Sequence, residues 1–209
     1  MGEKVSGKRK AFIFGVLFLI LVVLPAGSWF YLRGGLKWRM DAQAELKEYG
    51  KIRKATVIYA DGTKEDMLKG KVCVLHFFGA NPDLTLENRA ILQTAENLVQ
   101  QYGFKPGMAE DYFRIVMIAD GGTAEFKTMA QTLPSADLAN WVWTGGLGSW
   151  NTILANGYDA YCQQNSIRPD AEYFALSDTS GTIRRYYNAL NEKEIGRMVE
   201  HIALLLPNK

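Results

Sequence analysis

Residues 11–32 carry no charged side chain. Wound as an α-helix at about 1.5 Å per residue, such a run is about 33 Å long, enough to cross a bilayer hydrocarbon core of about 30 Å. It therefore divides the chain into a part that lies in lipid and a part that folds in water. Trp29, Phe30 and Tyr31 cluster at its far end, where interfacial aromatics usually sit. Lys4, Lys8, Arg9 and Lys10 precede it and favour a cytoplasmic N-terminus, although Arg33, Lys37 and Arg39 follow the span. Ala26-Gly27-Ser28 also satisfies the small-x-small rule of a signal-peptide cleavage site. The apolar run continues through Trp29–Leu32, which suits an uncleaved anchor better. The expected organisation is a cytoplasmic tail over 1–10, a transmembrane helix in membrane lipid over 11–32, a polar juxtamembrane connector over 33–54, and one folded domain over 55–209.

The chain has 24 Lys+Arg and 22 Asp+Glu, of which four and one lie before residue 33, so the net +2 comes from the short tail and the remainder stands at −1. No basic stripe marks the soluble part, which argues against a nucleic-acid partner. The two cysteines, Cys73 and Cys162, form no close pair with metal or redox spacing. A disulfide between them is open in an oxidising compartment. Cys73 in an apolar strand run reads more simply as a small buried hydrophobe.

Within the domain, Ala55–Ala60 reads as a strand running into an Asp61-Gly62 hairpin turn. Lys71–Phe78 is a near-continuous apolar run, the pattern of a central strand buried on both faces. Helical periodicity follows over 84–102, with Asn81-Pro82-Asp83 expected to start that helix: proline near its first turn and Asp83 at the positive end of its dipole. Arg114–Ala119 is a second buried strand, Ala124–Leu133 a helix stopped by Pro134, Asn140–Trp143 a short strand, and about Ser149 to Asn156 another helix. Glu172–Ser177 and Thr182–Asn188 form a hairpin, and Asn191 caps a final amphipathic helix to Leu206. This order predicts an α/β domain, a thioredoxin-like mixed sheet with helices on both faces, preceded by one transmembrane helix. His76 on its apolar strand reads as a packed core residue, and His201 as a surface residue of the last helix. Trp141 and Trp143 read as core on one sheet face or, alternatively, as a partner-facing aromatic patch.

Four segments together resemble the SCO/SenC family of cytochrome oxidase assembly proteins. They are the strand and turn Lys71–Thr85, the segment Trp141-Val142-Trp143-Thr144-Gly145, the hairpin Leu176-Ser177-Asp178-Thr179-Ser180-Gly181-Thr182-Ile183-Arg184, and the final helix. The resemblance covers about residues 55–206. It implies a membrane-anchored thioredoxin-like domain in the bacterial periplasm or the mitochondrial intermembrane space. In family members two cysteines of the turn and one histidine before the hairpin hold copper. Here Asn81, Thr85 and Asp170 stand at those three positions. Copper(I) prefers thiolate and imidazole, and disulfide exchange needs a thiolate, so both chemistries are expected to be lost.

The resemblance therefore implies a protein that is not an enzyme. It has no catalytic residue, no cofactor and no metal, only a degenerate site at Asn81, Thr85 and Asp170. Cytochrome oxidase or other respiratory-complex subunits are its expected partners, with Trp141 and Trp143 as a possible contact surface. The alternative is a copper chaperone with non-standard ligands, such as Cys73 or His76 with methionine donors. Two further readings are a hard cation held by Asn81, Asp83, Thr85 and Asp170, and a mixed-disulfide role for Cys73.

Overall fold

The computed structural model describes residues 7–52, 56–58, 64–66, 68, 70–79, 82–103, 112–119, 122–135, 140–144, 148–167 and 172–207. The chain forms two units, Met1–Ala44 and Glu45–Lys209.

The uncharged run is helical. Helix α1 (Gly7–Phe18) passes through a π-helical turn, Leu19–Val23, into α2 (Leu24–Glu45). The π turn ends two residues before Pro25, which has no N–H to offer the carbonyl of Leu21; local rewinding is the usual answer to such a gap. The stretch Phe12–Glu45 is long and apolar enough to cross a membrane, with a mean hydropathy of 2.4 over its most apolar window. An N-terminal signal sequence meets the same description. Helix continues past residue 32 through the polar stretch to Glu45.

In the second unit, β1 (Thr56–Ile58) pairs antiparallel with β2 (Lys64–Asp66). Asp61 and Gly62, expected to turn between them, lie outside the described residues. The main sheet contains β3 (Val72–Phe77), β4 (Phe113–Ile118), β5 (Trp141–Thr144), β6 (Tyr173–Ser177) and β7 (Ile183–Asn188), in the order β5-β4-β3-β6-β7. β3, β4 and β5 run parallel; β6 and β7 are antiparallel to their neighbours. Helices α3 (Leu86–Gly103), α4 (Ala124–Thr132), α5 (Gly148–Asn165) and α6 (Glu192–Leu205) complete the domain.

The central strands are buried on both faces, as their unbroken apolar runs require. Alternation then sorts their side chains into two cores. Val72, Val74, Ile115, Met117, Phe174 and Leu176 pack with α3 and α6 on one face. Cys73, Leu75, Val116, Ile118 and Ala175 pack with α5 on the other.

Two expectations need correction. Helix α5 runs to Asn165, nine residues beyond the expected end at Asn156. Gly157 interrupts the sequence pattern there, because glycine is the weakest ordinary helix former. Its presence has a packing cause: a Cβ at Gly157 would lie 2.2 Å from the Tyr186 hydroxyl and 2.5 Å from the Tyr49 carbonyl oxygen. The turn beyond it is held by packing, with Tyr161 edge-on to Tyr49 at 5.3 Å and Tyr158 stacked on Tyr173 at 4.0 Å. His201 is the second correction. It is fully buried rather than on the surface, and its Nδ1 lies 2.7 Å from the Tyr187 hydroxyl. The helical pattern reads this position as polar, whereas a hydroxyl on β7 supplies the partner that burial demands.

Candidate functional site

In an open α/β sheet, ligands bind beyond the carboxyl ends of the parallel strands, where helix N-termini also converge. Here that edge is made by Phe78-Gly79 after β3, Ala119 after β4 and Thr144 at the end of β5, facing the starts of α3 and α4.

Thr85, one of the three positions that the resemblance singles out, is described. It caps α3: its hydroxyl oxygen accepts the Asn88 N–H at 3.1 Å and its carbonyl accepts the Arg89 N–H at 3.1 Å. The helix therefore begins at Thr85, not at Asn81-Pro82-Asp83 as expected from proline and dipole arguments. Threonine wins the cap because its side chain satisfies an amide that the helix leaves unbonded. Pro82 is buried instead, and its carbonyl accepts the Thr123 N–H at 2.9 Å. Thr123 in turn caps α4 by accepting from Phe126 N–H at 3.3 Å. The turn after β3 is thus tied to both helix starts by structural hydrogen bonds. Asn81 and Asp170 lie outside the described residues.

His76 sits behind this edge, 1 % exposed. Its Nδ1 is 2.7 Å from the Tyr173 carbonyl. A carbonyl only accepts, so Nδ1 carries the proton and Nε2 presents its lone pair. Nε2 has no hydrogen-bond partner and lies 3.7 Å from the Glu172 carboxylate. Burial pushes the His76 imidazolium pKa down to about 4. The adjacent carboxylate does not reverse this, because Glu172 is half-exposed and is itself pushed toward neutrality by desolvation and then by Glu87. Phe78 and Phe174 flank the ring at 4.4 and 5.3 Å between centroids. His76 is thus a core residue with one unused nitrogen.

Cys73 and Cys162 are buried thiols, both within the core on the α5 face. Desolvation raises the Cys73 thiol to about 12. A thiol held so far above neutral pH supplies almost no thiolate, the form that attacks disulfides and binds soft metals. Among the described residues, no three His, Cys, Asp or Glu side chains stand close enough to hold one metal ion.

The two tryptophans differ. Trp141 is 4 % exposed, and its indole N–H has no hydrogen-bond partner. Trp143 is partly exposed, stacked on Phe78 at 5.9 Å and edge-on to Phe126 at 6.0 Å. It lines an open cleft of about 410 Å³ together with Ala119, Phe126, Lys127, Ala130, Gln131 and Thr144. Sequence reasoning missed this cleft, because α4 contributes its wall from a segment with no motif.

It also missed an ionic network at Glu45. Arg185 and Arg197 both donate to the Glu45 carboxylate, Arg197 Nη2 at 2.7 Å. The His201 Nε2 lies 3.7 Å from it. The Arg197 hydrogen bond, then the Arg185 charge, hold the Glu45 carboxyl below its ordinary value against desolvation. No sequence signal joins residues 140 to 152 positions apart.

No family model and no curated protein matches the chain. Solved structures do. A SCO1/SenC family lipoprotein from Bacillus anthracis str. Ames is similar with a TM-score of 0.50 at 15% identity, over 75% of this chain and 95% of that one. BsSco, a member of the Sco family of cytochrome c oxidase assembly proteins with a disulfide switch, gives 0.48 at 15% identity, over 76% and 96%. The thioredoxin domain of a thiol-disulfide oxidoreductase from Bacteroides vulgatus gives 0.40 at 17% identity, over 77% and 99%. At such identities likeness carries the fold alone. The fold is thioredoxin-like, a mixed sheet with helices on both faces, and it is shared with the SCO/SenC lipoprotein.

Proposed function

We propose that this chain is a membrane-anchored, non-catalytic binding protein. Its thioredoxin-like domain serves as an assembly factor or accessory subunit of a cytochrome oxidase or respiratory supercomplex. The N-terminal helix crosses a bacterial inner membrane once and leaves the domain in the periplasm, or the equivalent topology holds in the mitochondrial inner membrane. One observation carries the non-catalytic part: Thr85, where the resemblance would place a thiolate, has its hydroxyl committed to capping α3. The nearest cysteine by sequence, Cys73, faces the opposite core with its thiol protonated. The assignment to a respiratory complex rests on the four resembling segments.

The test is purification of the tagged chain from its native membrane in mild detergent, with copper measured on the same sample. Stoichiometric respiratory subunits without protein-bound copper are the expected result. A solitary protein carrying about one copper refutes it.

A specific observation favours one alternative, a copper chaperone with non-standard ligands: the buried His76 Nε2 has its lone pair unused. On that reading His76→Ala abolishes stoichiometric copper binding. Absence of binding at micromolar copper eliminates it.

A further inference from the structure

We infer that the outer edge of β5, with the cleft beside it, is a docking site for an extended acidic-apolar segment of a partner protein, which adds to the sheet as a sixth strand.

Three observations converge on Trp143. The first is the backbone. Ile115 N–H donates to the Asn140 carbonyl at 2.7 Å, and Ala119 N–H donates to the Thr144 carbonyl at 3.0 Å. Even-numbered residues of β5 therefore turn their main-chain groups toward β4. The alternation of a strand turns those of Trp141 and Trp143 outward. β5 is the first strand in the order β5-β4-β3-β6-β7, and among the described residues no strand pairs with its outer side. Such an edge is a template for strand addition.

The second observation is the cleft. The same Trp143 whose main chain faces outward also lays its ring along the 410 Å³ cleft, against Phe126 of α4. An added strand has successive side chains on opposite faces, so alternate residues of the guest would fall on the α4 side, where an apolar side chain meets Trp143 and Phe126. Main-chain hydrogen bonds then fix the register, and the cleft selects the side chain.

The third observation is charge. Among the described residues, Lys127 is the one charged residue of the cleft lining. It is exposed, and no carboxylate among the described residues pairs with it. A cation beside an apolar cleft and an open strand edge complements a guest carrying Asp or Glu next to its apolar anchor. The interaction raises the association rate and sets specificity more than it adds affinity.

This proposal rests on the binding-protein reading above and names the chemistry of the partner. Its test needs no respiratory subunit, so it can fail while that reading stands, and the reverse. The probe is a fluorescently labelled, doubly capped hexapeptide of alternating Phe and Glu, titrated by anisotropy against the full-length chain in mild detergent. Backbone amide NMR is recorded on the same complex. Saturable binding is expected, with the Trp141, Trp143 and Lys127 amides shifting and the Trp143 amide protected from exchange. Lys127→Glu lies on the exposed face of α4 and leaves the fold intact; it should weaken binding about tenfold or more. The same peptide N-methylated on alternate residues should not bind.

The proposal is overturned by no binding at millimolar peptide, by equal binding of the N-methylated peptide, by an unchanged affinity in Lys127→Glu, or by shifts that map away from β5 and α4. It is overturned as well if the chain self-associates through this edge and excludes the peptide, because the occupant is then a second copy.

Discussion

The β6–β7 side of the domain and the carboxyl edge of the parallel strands use polar residues in opposite ways. On the β6–β7 side, Asp178 accepts from Ser180 N–H, Ser180 hydroxyl, Thr182 N–H and Arg184 Nε, while Glu45 gathers Arg185 and Arg197. Burial alone would raise the Asp178 carboxyl, but these hydrogen bonds, Ser180 first, hold it below its ordinary value. At the strand edge, Thr85 and Thr123 are spent on helix caps, His76 keeps one nitrogen unused, and the cleft wall is aromatic. The carboxylates Asp178 and Glu45 thus hold structure together on the β6–β7 side. Among the described residues, the carboxyl edge of the parallel strands presents hydroxyls, aromatic rings, one imidazole and one lysine. That difference agrees with the proposed binding role, and it can be broken experimentally.

The largest expected effect tests His76. Its folded pKa of about 4 lies below the ordinary histidine value of about 6.5. Between these values the unfolded chain binds the proton and the folded chain does not, so stability falls as pH drops from about 6.5 to about 4 and is complete above that window. The span corresponds to about 3 kcal/mol. Glu172 acts in the opposite sense, because its raised pKa lets the folded chain take up a proton first. Thermal melting across pH 4–7 should therefore steepen in Glu172→Gln and flatten in His76→Phe. Asp178 and Glu45, both lowered, begin to add their own losses only as pH falls through the ordinary carboxylate range, at the acid end of this window, so the fall between about pH 6.5 and 5 belongs to His76. A flat profile in the wild-type chain would mean that His76 is solvated or carries a ligand, and the distinction between the two regions would fail.

Gly157→Ala probes the packed α5–β7 contact. The new methyl group meets the Tyr186 hydroxyl and the Tyr49 carbonyl at distances that force a shift. The cost should be about 2–3 kcal/mol, more than offsetting the gain of about 1 kcal/mol from replacing a helical glycine. For a chain of this size that lowers Tm by roughly 5–10 °C. Tyr186→Phe in the same background should recover part of the loss, although it forfeits the hydroxyl's bond to the Leu154 carbonyl. A smaller effect, about 1.5 kcal/mol, is expected for Glu45→Ala. Two arginines then face each other without their carboxylate, but partial exposure of the site screens the loss. Urea midpoints of the two variants rank these contacts directly.

The parts that the sequence could reveal and those it could not separate along physical lines. Lys71–Phe78 and Arg114–Ala119 announce buried strands because a parallel strand covered on both faces must be apolar throughout. Asn191 announces the α6 cap because its side chain bonds the Lys193 and Glu194 amides, a contact two and three residues away. Local rules reach such contacts. They fail where the reason for a residue lies across the fold. Gly157 looks like a helix stop until Tyr186 is seen against it, and His201 looks like a surface residue until Tyr187 is seen behind it. At the site, the absence of cysteines in the turn was readable from sequence, whereas the cleft was not: Lys127 and Phe126 meet Trp143 only because the strand order places β5 at the edge.

The smallest effect tests the cap that Thr85 supplies to α3. Thr85→Ala removes the hydroxyl that accepts the Asn88 amide and should cost about 1 kcal/mol. Thr85→Ser and Thr85→Asp keep an oxygen at that position and should stay within a few tenths of the wild type. Thr85→Cys puts sulfur at that position, a weak acceptor, so it should lose nearly as much as alanine. The ordering Ser ≈ Asp ≈ Thr, with Ala and Cys lower, is therefore expected in chemical denaturation. It would mean that an oxygen at this position serves the start of α3. If Ala matches Thr, the cap contributes nothing. The threonine would then need another explanation, such as contact with a bound partner at the open edge.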